Sequence, residues 1–199
     1  MKKLLYIVAV MLLVCSCAKS DKAKINALIK SDLSQTMHDF KSYEPVATDI
    51  DSVFDAAYLN QRAWNLSEQI ISNISQLEDI DSELESMKFE MQMAGISGDR
   101  SRLQQLSDDM DNQLANMKRL IDDNERLSGE IRSINKAAGH KFVGYYCTHK
   151  FRCNNAMGNK ILATASFYIT GDCSQVVAHI FDEDGENIEA HITAAIKEK

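Results

Sequence analysis

The hydrophobic positions divide the chain into a helical part followed by a β part. Between residues 22 and 40 apolar side chains recur every three or four positions, which predicts a short amphipathic N-terminal helix. Tyr43-Glu44-Pro45 ends this helix, because a residue before proline avoids the helical conformation. From Thr48 to Ala94 neither proline nor glycine occurs, and Thr48 or Asp49 can cap the start of a long helix.

Apolar side chains then recur every seven residues on both sides of a turn at residues 95–99. The first helix carries them at Ile70, Leu77, Leu84 and Met91 and, at the complementary position, at Leu59, Leu66, Ile80 and Met87. The second carries Leu103, Met110, Met117, Asn124 and Ile131, with Leu106, Gln113, Leu120, Leu127 and Ile134. Such heptads predict a long antiparallel coiled-coil hairpin, with helices of roughly 60–70 Å.

The turn sets which residues of the two helices face each other. A turn centred on residues 98–99 pairs Leu77 with Leu120 and also brings Asn73 opposite Asn124. A buried asparagine pair lowers stability but fixes the register of a coiled coil. The alternative is that both asparagine side chains face water.

After Gly139 the spacing changes to alternation, which predicts β-strands. One strand places Val143, Tyr145, Cys147, Phe151 and Cys153 on one face, and the next places Ile161, Ala163, Ala165, Phe167 and Ile169. A third strand over 175–181 and an amphipathic helix through Ile188 and Ile196 complete the chain. The predicted class is therefore α+β, with a three-stranded antiparallel β-meander. We expect the last helix or the hairpin base to cover its apolar face.

The N-terminus carries a secretory signal pattern. Lys2 and Lys3 precede an apolar run over residues 4–14 that is too short to span a bilayer. Val14-Cys15-Ser16-Cys17 resembles the lipobox of bacterial lipoproteins, which implies cleavage before Cys17 and acylation of that residue. Several acyl chains together anchor a protein stably. The alternative is an ordinary cleaved signal with two incidental cysteines.

These features predict four segments. They are a signal peptide at 1–16, a lipidated tether at 17–24, a helical region at 25–139 and a small β module at 140–199. The net charge of −7 makes nucleic acid a poor partner, because neutralising phosphates dominates such binding. A long exposed coiled coil also makes a homo-oligomer a candidate assembly.

Cys147, His149 and Cys153 are the residues whose types are most typical of a metal or catalytic site. Cysteine and histidine together suggest zinc or an activated thiol. However, Cys147 and Cys153 lie about 20 Å apart along one strand, so one metal cannot hold both. Cys147 and His149 with His179 or Cys173, a Cys147–Cys173 disulfide, and plain core packing remain alternatives. We expect no catalytic residue, metal or cofactor.

Two surface features are candidates for binding or modification. The polar face of the β module is a candidate ligand or partner face, formed by Tyr146, Thr148, Lys150, Arg152, Ser166 and Tyr168. Lys150 and Arg152, with Lys160, make a basic spot that either binds an anion or discourages strand pairing at an edge. Asp51-Ser52-Val53 resembles an O-glycosylation acceptor of Bacteroidetes, at what we expect to be an exposed helix start.

The whole arrangement is similar to Bacteroidetes envelope lipoproteins that combine a helical hairpin with a small C-terminal β module. The segments that carry this resemblance are Tyr43-Glu44-Pro45, Ile50-Asp51-Ser52, residues 144–152 and Asn155-Ala156-Met157-Gly158. It implies a protein of the bacterial cell envelope that is lipid-anchored at the outer membrane, on its periplasmic or its cell-surface side, but no activity.

Three functions follow as expectations. The first is a non-enzymatic scaffold or interaction module with an envelope protein partner. The second is binding of a small ligand or envelope polymer by the polar face, and an enzyme is third.

Overall fold

The computed structural model describes residues 20–181 and 183–197, and its fold is α+β, as predicted. The predicted signal peptide 1–16 and the predicted lipidation of Cys17 lie outside the described residues. The helices are α1 (Asp21–Thr36), α2 (Gln61–Ser97), α3 (Arg100–Ala137) and α4 (Glu183–Lys197). The strands are β1 (Glu44–Val53), β2 (Gly144–Asn154), β3 (Lys160–Thr170) and β4 (Val176–Ile180). In the described part of the chain, none of the helices has the length and hydrophobicity of a transmembrane span.

The sheet has four antiparallel strands in the order β1-β2-β3-β4, so the predicted count of three was wrong. Residues 44–53, assigned in part to the first long helix, form β1 and pair with β2 from Glu44↔Arg152 to Val53↔Gly144. This edge strand buries only Val53, so it lacks the alternation that reveals a half-buried strand. Pro45 is compatible with it, because proline is tolerated on sheet edges.

Both faces of the sheet are covered, whereas the sequence predicts a cover on one face only. The predicted apolar face, with Cys147 and Phe167, packs against α1 through Ile25, Ile29 and Leu33. The hairpin base and α4 cover the opposite face instead, so the predicted cover was assigned to the wrong side. The sheet is therefore the middle of three layers.

The hairpin forms with its turn at the predicted place. Gly98, with φ 76°, ends α2, and the Asp99 carboxylate accepts a hydrogen bond from the Arg102 N–H at 3.0 Å. The helices contain 37 and 38 residues, so each is about 55 Å long. This is shorter than predicted, because residues 44–53 belong to β1 and Ala56–Leu59 form a 3₁₀ turn.

The asparagine layer of the hairpin supports a test by substitution. Asn73 Nδ2 donates to Asn124 Oδ1 at 2.8 Å, in the layer that the turn predicts. Asn73→Leu leaves the Asn124 amide facing an apolar side chain, and we expect it to cost about 1–2 kcal/mol of unfolding free energy. The double variant with Asn124→Leu should regain this loss, because both polar groups are then removed together. Urea denaturation measures both, and a neutral single variant would show that the amide pair is not desolvated.

Candidate functional site

The hairpin base and α4 cover part of the predicted polar face and leave the rest open. Tyr168 is only 4% exposed, stacks on Tyr58 at 5.3 Å, and donates its hydroxyl hydrogen to the Glu189 carboxylate at 2.6 Å. Burial raises the pKa of Tyr168, which keeps the phenol protonated. The Tyr146 hydroxyl bonds to Ser166 at 2.9 Å beside it. These residues join layers of the fold, so Tyr146 and Tyr168 do not belong to an open ligand face.

The remaining part of that face is open to solvent. Lys150 and Arg152 are exposed, and Lys150 lies opposite Thr164 across the strand pair. Lys160 pairs with the Glu44 carboxylate at 2.5 Å, so its charge is already balanced. That hydrogen bond lowers the pKa of Glu44. Ligand binding by Thr148, Lys150, Arg152 and Ser166 stays a prediction.

The cysteine chemistry considered from the sequence finds little support. Cys147, Cys153 and Cys173 are buried free thiols, so the Cys147–Cys173 disulfide is not formed in this structure. Burial raises the pKa of Cys147 to about 12, and a protonated thiol is a weak nucleophile. Among the described residues, no three His, Cys, Asp or Glu side chains are grouped so as to hold a metal ion.

His149 is instead the centre of a buried hydrogen-bond chain. It is 2% exposed, and its Nε2 lies 3.0 Å from the Tyr43 hydroxyl. Its Nδ1 lies 2.9 Å from Thr48 Oγ1, which in turn donates to Asn26 Oδ1 at 2.8 Å. Since Thr48 gives its hydrogen to Asn26, it accepts one from His149 Nδ1. The chain of bonds ties α1 to β1 and β2.

The burial of His149 predicts a loss of stability in mild acid. Burial lowers the pKa of His149 below its ordinary value, so the unfolded chain binds a proton that the folded chain resists. Stability is therefore highest when histidine is neutral in both states, and it falls as pH drops below about 6.5. We expect urea denaturation to show this fall as the pH is lowered from about 6.5.

The control separates His149 from the other histidines. His149→Asn should be less stable near neutrality but should lose less further stability on acidification. His38→Asn changes an exposed side chain and should keep the slope of the unmodified protein. Equal slopes in the unmodified and His149→Asn proteins would contradict the assignment.

A groove lies beside this chain of bonds, between α1 and β1. It has a volume of about 450 Å³, and one helix face, Lys22, Asn26 and Lys30, forms one of its walls. Tyr43, His149 and the start of β1 form the other. Among residues 20–181 and 183–197 neither lysine has an ion-pair partner. The groove therefore offers two unneutralised ammonium groups on a protein of net charge −7.

The outer half of the hairpin carries an exposed apolar surface. Phe89, Met93 and Ile96 are 64%, 53% and 77% exposed, and their spacing places them on one face of α2. We call these three residues the tip stripe. The heptad pattern does not mark these three residues, because none of them lies at a seam position. Met110 and Met117 do pack at the seam, whereas Met93 does not.

Ser52 lies on β1 opposite Tyr145 and is exposed, so it is not at the start of a helix. The prediction of a helix start at Ser52 was wrong because β1 has no buried face, so its residues lack the alternation that marks a strand. Its exposure leaves glycosylation as a prediction.

Comparison with known proteins identifies no relative of this chain. No protein-family model matches the chain, and neither the curated proteins nor the solved structures include a significant match.

Proposed function

We propose that the protein is a lipid-anchored envelope lipoprotein that acts without catalysis as a scaffold or protein-interaction module, with the hairpin as its partner-binding arm. The observation that carries this proposal is the tip stripe. Three large apolar side chains are exposed on one face of the outer half of α2, and contiguous apolar surface of this kind marks interaction sites.

The construction of the arm supports this proposal. Its base packs with α4 and the sheet through Trp64, Leu66 and Ile131. Farther out, the core cluster contains only hairpin residues, with Ile80, Leu84 and Leu120 at its centre. A two-helix arm of about 55 Å therefore presents the tip stripe away from the layers that hold its base.

Site-specific photocross-linking tests the arm directly. A photoreactive phenylalanine analogue at position 89 or 96 should give one discrete adduct in intact cells. The same analogue at Asp81, an exposed polar position on the same helix, is the matched control. Ile96→Ser should abolish the adduct formed from position 89. Adducts only from positions in the β module would contradict the proposal.

The anchor is tested separately. The intact mass of protein purified from membranes should equal a chain that begins at Cys17 and carries acyl chains on that residue. Cys17→Ala should release the protein from the membrane fraction. An unacylated mass would refute the anchor, whatever the arm binds.

A homo-oligomer is the alternative occupant of the hairpin surface. Leu114 and Ile121 lie seven residues apart on α3 and are half exposed, which is the spacing of a second coiled-coil seam. Sedimentation at increasing concentration would show a dimer, and Leu114→Ser with Ile121→Ser should abolish it. In that case the cross-linked adduct would have the mass of two copies of this chain.

A second candidate function, binding of a small anionic ligand, is favoured by the groove between α1 and β1. Citrate and inorganic phosphate serve as probes in thermal melting. If the groove binds them, Lys22→Gln with Lys30→Gln should abolish the shift. If the open part of the predicted polar face binds them, Lys150→Gln with Arg152→Gln should abolish it. No shift with either probe would remove this candidate for these anions.

A further inference from the structure

Aromatic side chains cluster where β1 ends and β2 begins. The Phe54 ring lies 6.4 Å from that of Phe142 and 5.9 Å from that of His140, and Phe142 contacts Tyr145 edge-on at 5.2 Å. Phe54 and Phe142 are each 44% exposed. We call these four residues the aromatic end. Its two phenylalanines pack against each other, yet nearly half of each side chain is exposed to solvent.

The first helix starts at this same end of the sheet. The Tyr145 hydroxyl donates to the carboxylate of Asp21, the first residue of α1, at 3.4 Å. Cys17 precedes Asp21 by four positions. Four residues reach at most about 14 Å at full extension, so an acylated Cys17 keeps the aromatic end near the lipid headgroups.

The chemistry of the aromatic end suits a bilayer surface better than a charged partner. Tyrosine is enriched at the membrane–water interface, where its ring is buried and its hydroxyl is hydrated, and phenylalanine is common on the apolar face of segments that lie in the interface. Lys141 lies next to Phe142 in sequence, Lys22 and Lys24 follow Asp21 at the start of α1, and Asp21 and Asp55 balance part of the charge of these lysines. Lys24 already pairs with Asp21 at 3.1 Å, and Asp55 accepts a hydrogen bond from Asn135 at 3.0 Å.

We propose that the aromatic end docks on the lipid surface of the bilayer, with Phe54 and Phe142 entering the interfacial region. The inference rests on the proposed anchor at Cys17 and adds an orientation to it. The anchored module is then held by two attachments, the acyl chains and the rings, and does not rotate freely on its tether. Because the charges nearly balance, docking depends on the rings and only weakly on anionic lipid.

One orientation follows for the rest of the sheet. β2 runs 11 residues from Gly144 to Asn154, which is roughly 36 Å at 3.3 Å per residue. Met157, which is 87% exposed, follows at the far end of that strand. When the aromatic end docks, the turn at Met157 should point away from the bilayer.

Fluorescence quenching by brominated lipid tests the orientation. The mature chain, beginning at Cys17, is coupled through that thiol to maleimide-bearing lipid in phosphatidylcholine vesicles. Cys147, Cys153 and Cys173 are buried, and Cys17→Ser is the coupling control. Phe142→Trp should be quenched by brominated phosphatidylcholine, whereas Met157→Trp should show only the background of the buried Trp64.

Two further measurements sharpen the result. Adding Phe54→Ser to Phe142→Trp should reduce the quenching, since the paired ring is lost. Mixing phosphatidylglycerol into the vesicles should change it little. Equal quenching at positions 142 and 157, or quenching that appears only with anionic lipid, would overturn the inference.

Failure of the anchor and failure of docking are distinguishable. Chemical coupling supplies a lipid at Cys17 whether or not cells acylate it, and intact mass reports natural acylation. Acylated protein without quenching at position 142 refutes docking alone. A glycan on Ser52, which pairs with Tyr145, would hold this end off the lipid, so finding one in the natural protein also refutes docking.

Discussion

Phe167→Ala is expected to lower the free energy of unfolding by about 3–5 kcal/mol, because a fully buried aromatic ring is removed and a cavity remains. Phe167 is 0% exposed and lies in the core between the sheet and α1. Its ring has edge-on neighbours in His149, His179 and Phe181 at 6.0 to 6.5 Å. Urea denaturation at neutral pH measures the loss.

Phe89→Ala is the matched control, since the same side chain is deleted from a site that is 64% exposed. It should change the unfolding free energy by about 0.5 kcal/mol or less, as exposed substitutions usually do. The pair also separates folding from function. If the tip stripe binds a partner, Phe89→Ala loses binding while it stays folded. Equal destabilisation by both variants would contradict the burial that distinguishes them.

The two coiled-coil helices were predictable because their signal is local and repeated. Residues such as Ile80 and Leu120 recur at fixed intervals over many turns, and Gly98 is one of the few glycines between them. Two long helices joined by a short turn have few alternative registers. The hydrogen bond between Asn73 and Asn124 lies in the layer that the turn sets. Strands β2 and β3 were equally predictable from the sequence, because their inward-facing apolar residues alternate regularly with the other positions.

The first strand and the His149 chain of bonds lacked such signals. β1 is an edge strand whose residues are mostly exposed, so its sequence reads as polar chain that a helix would also accept. Tyr43 and Thr48 lie 106 and 101 residues from His149, and no spacing rule connects them. The aromatic end was missed for the same reason, since Phe54 and Phe142 come from separate connecting segments that only pairing of β1 with β2 brings together.

Tyrosine explains why the polar face was assigned too broadly. Tyr146 and Tyr168 alternate with apolar residues and so count as polar in a two-residue pattern. A tyrosine ring can nevertheless be buried when its hydroxyl finds a partner. Ser166 and Glu189 supply those partners here, and the rings then pack under the hairpin base and α4.

The proposed arm and the proposed docking surface are independent of each other. The tip stripe lies on α2, whereas the aromatic end lies between β1 and β2, and the two sets share no residue. Substitution at Phe89 should therefore leave quenching at position 142 unchanged. Substitution at Phe54 should leave cross-linking from position 96 unchanged unless the partner must be met in a fixed orientation relative to the bilayer.

Gly144→Ala is expected to destabilise the fold by about 3 kcal/mol, since overpacking forces backbone shifts. A Cβ at this position would lie 2.2 Å from the carbonyl oxygen of Ile169 and 2.5 Å from Leu59 Cδ1. The leucine side chain can rotate away, but the carbonyl belongs to β3, which pairs with β2 over its whole length. β2 must therefore move at the place where Val53 and Thr170 flank Gly144.

Gly129→Ala makes the same chemical change where space exists, because the nearest atom to its Cβ is the flexible Arg132 Nη2 at 3.8 Å. In a helix interior alanine is favoured over glycine, so this variant should gain about 0.5–1 kcal/mol. Opposite shifts in the urea midpoint are thus expected from two identical substitutions. Gly144 lies two residues from Phe142. Gly144→Ala added to Phe142→Trp should therefore abolish quenching by brominated lipid, whereas Gly129→Ala added to Phe142→Trp should leave it unchanged. A Gly144→Ala protein as stable as Gly129→Ala would mean that β2 and β3 do not approach as closely as the Ile169 carbonyl contact requires.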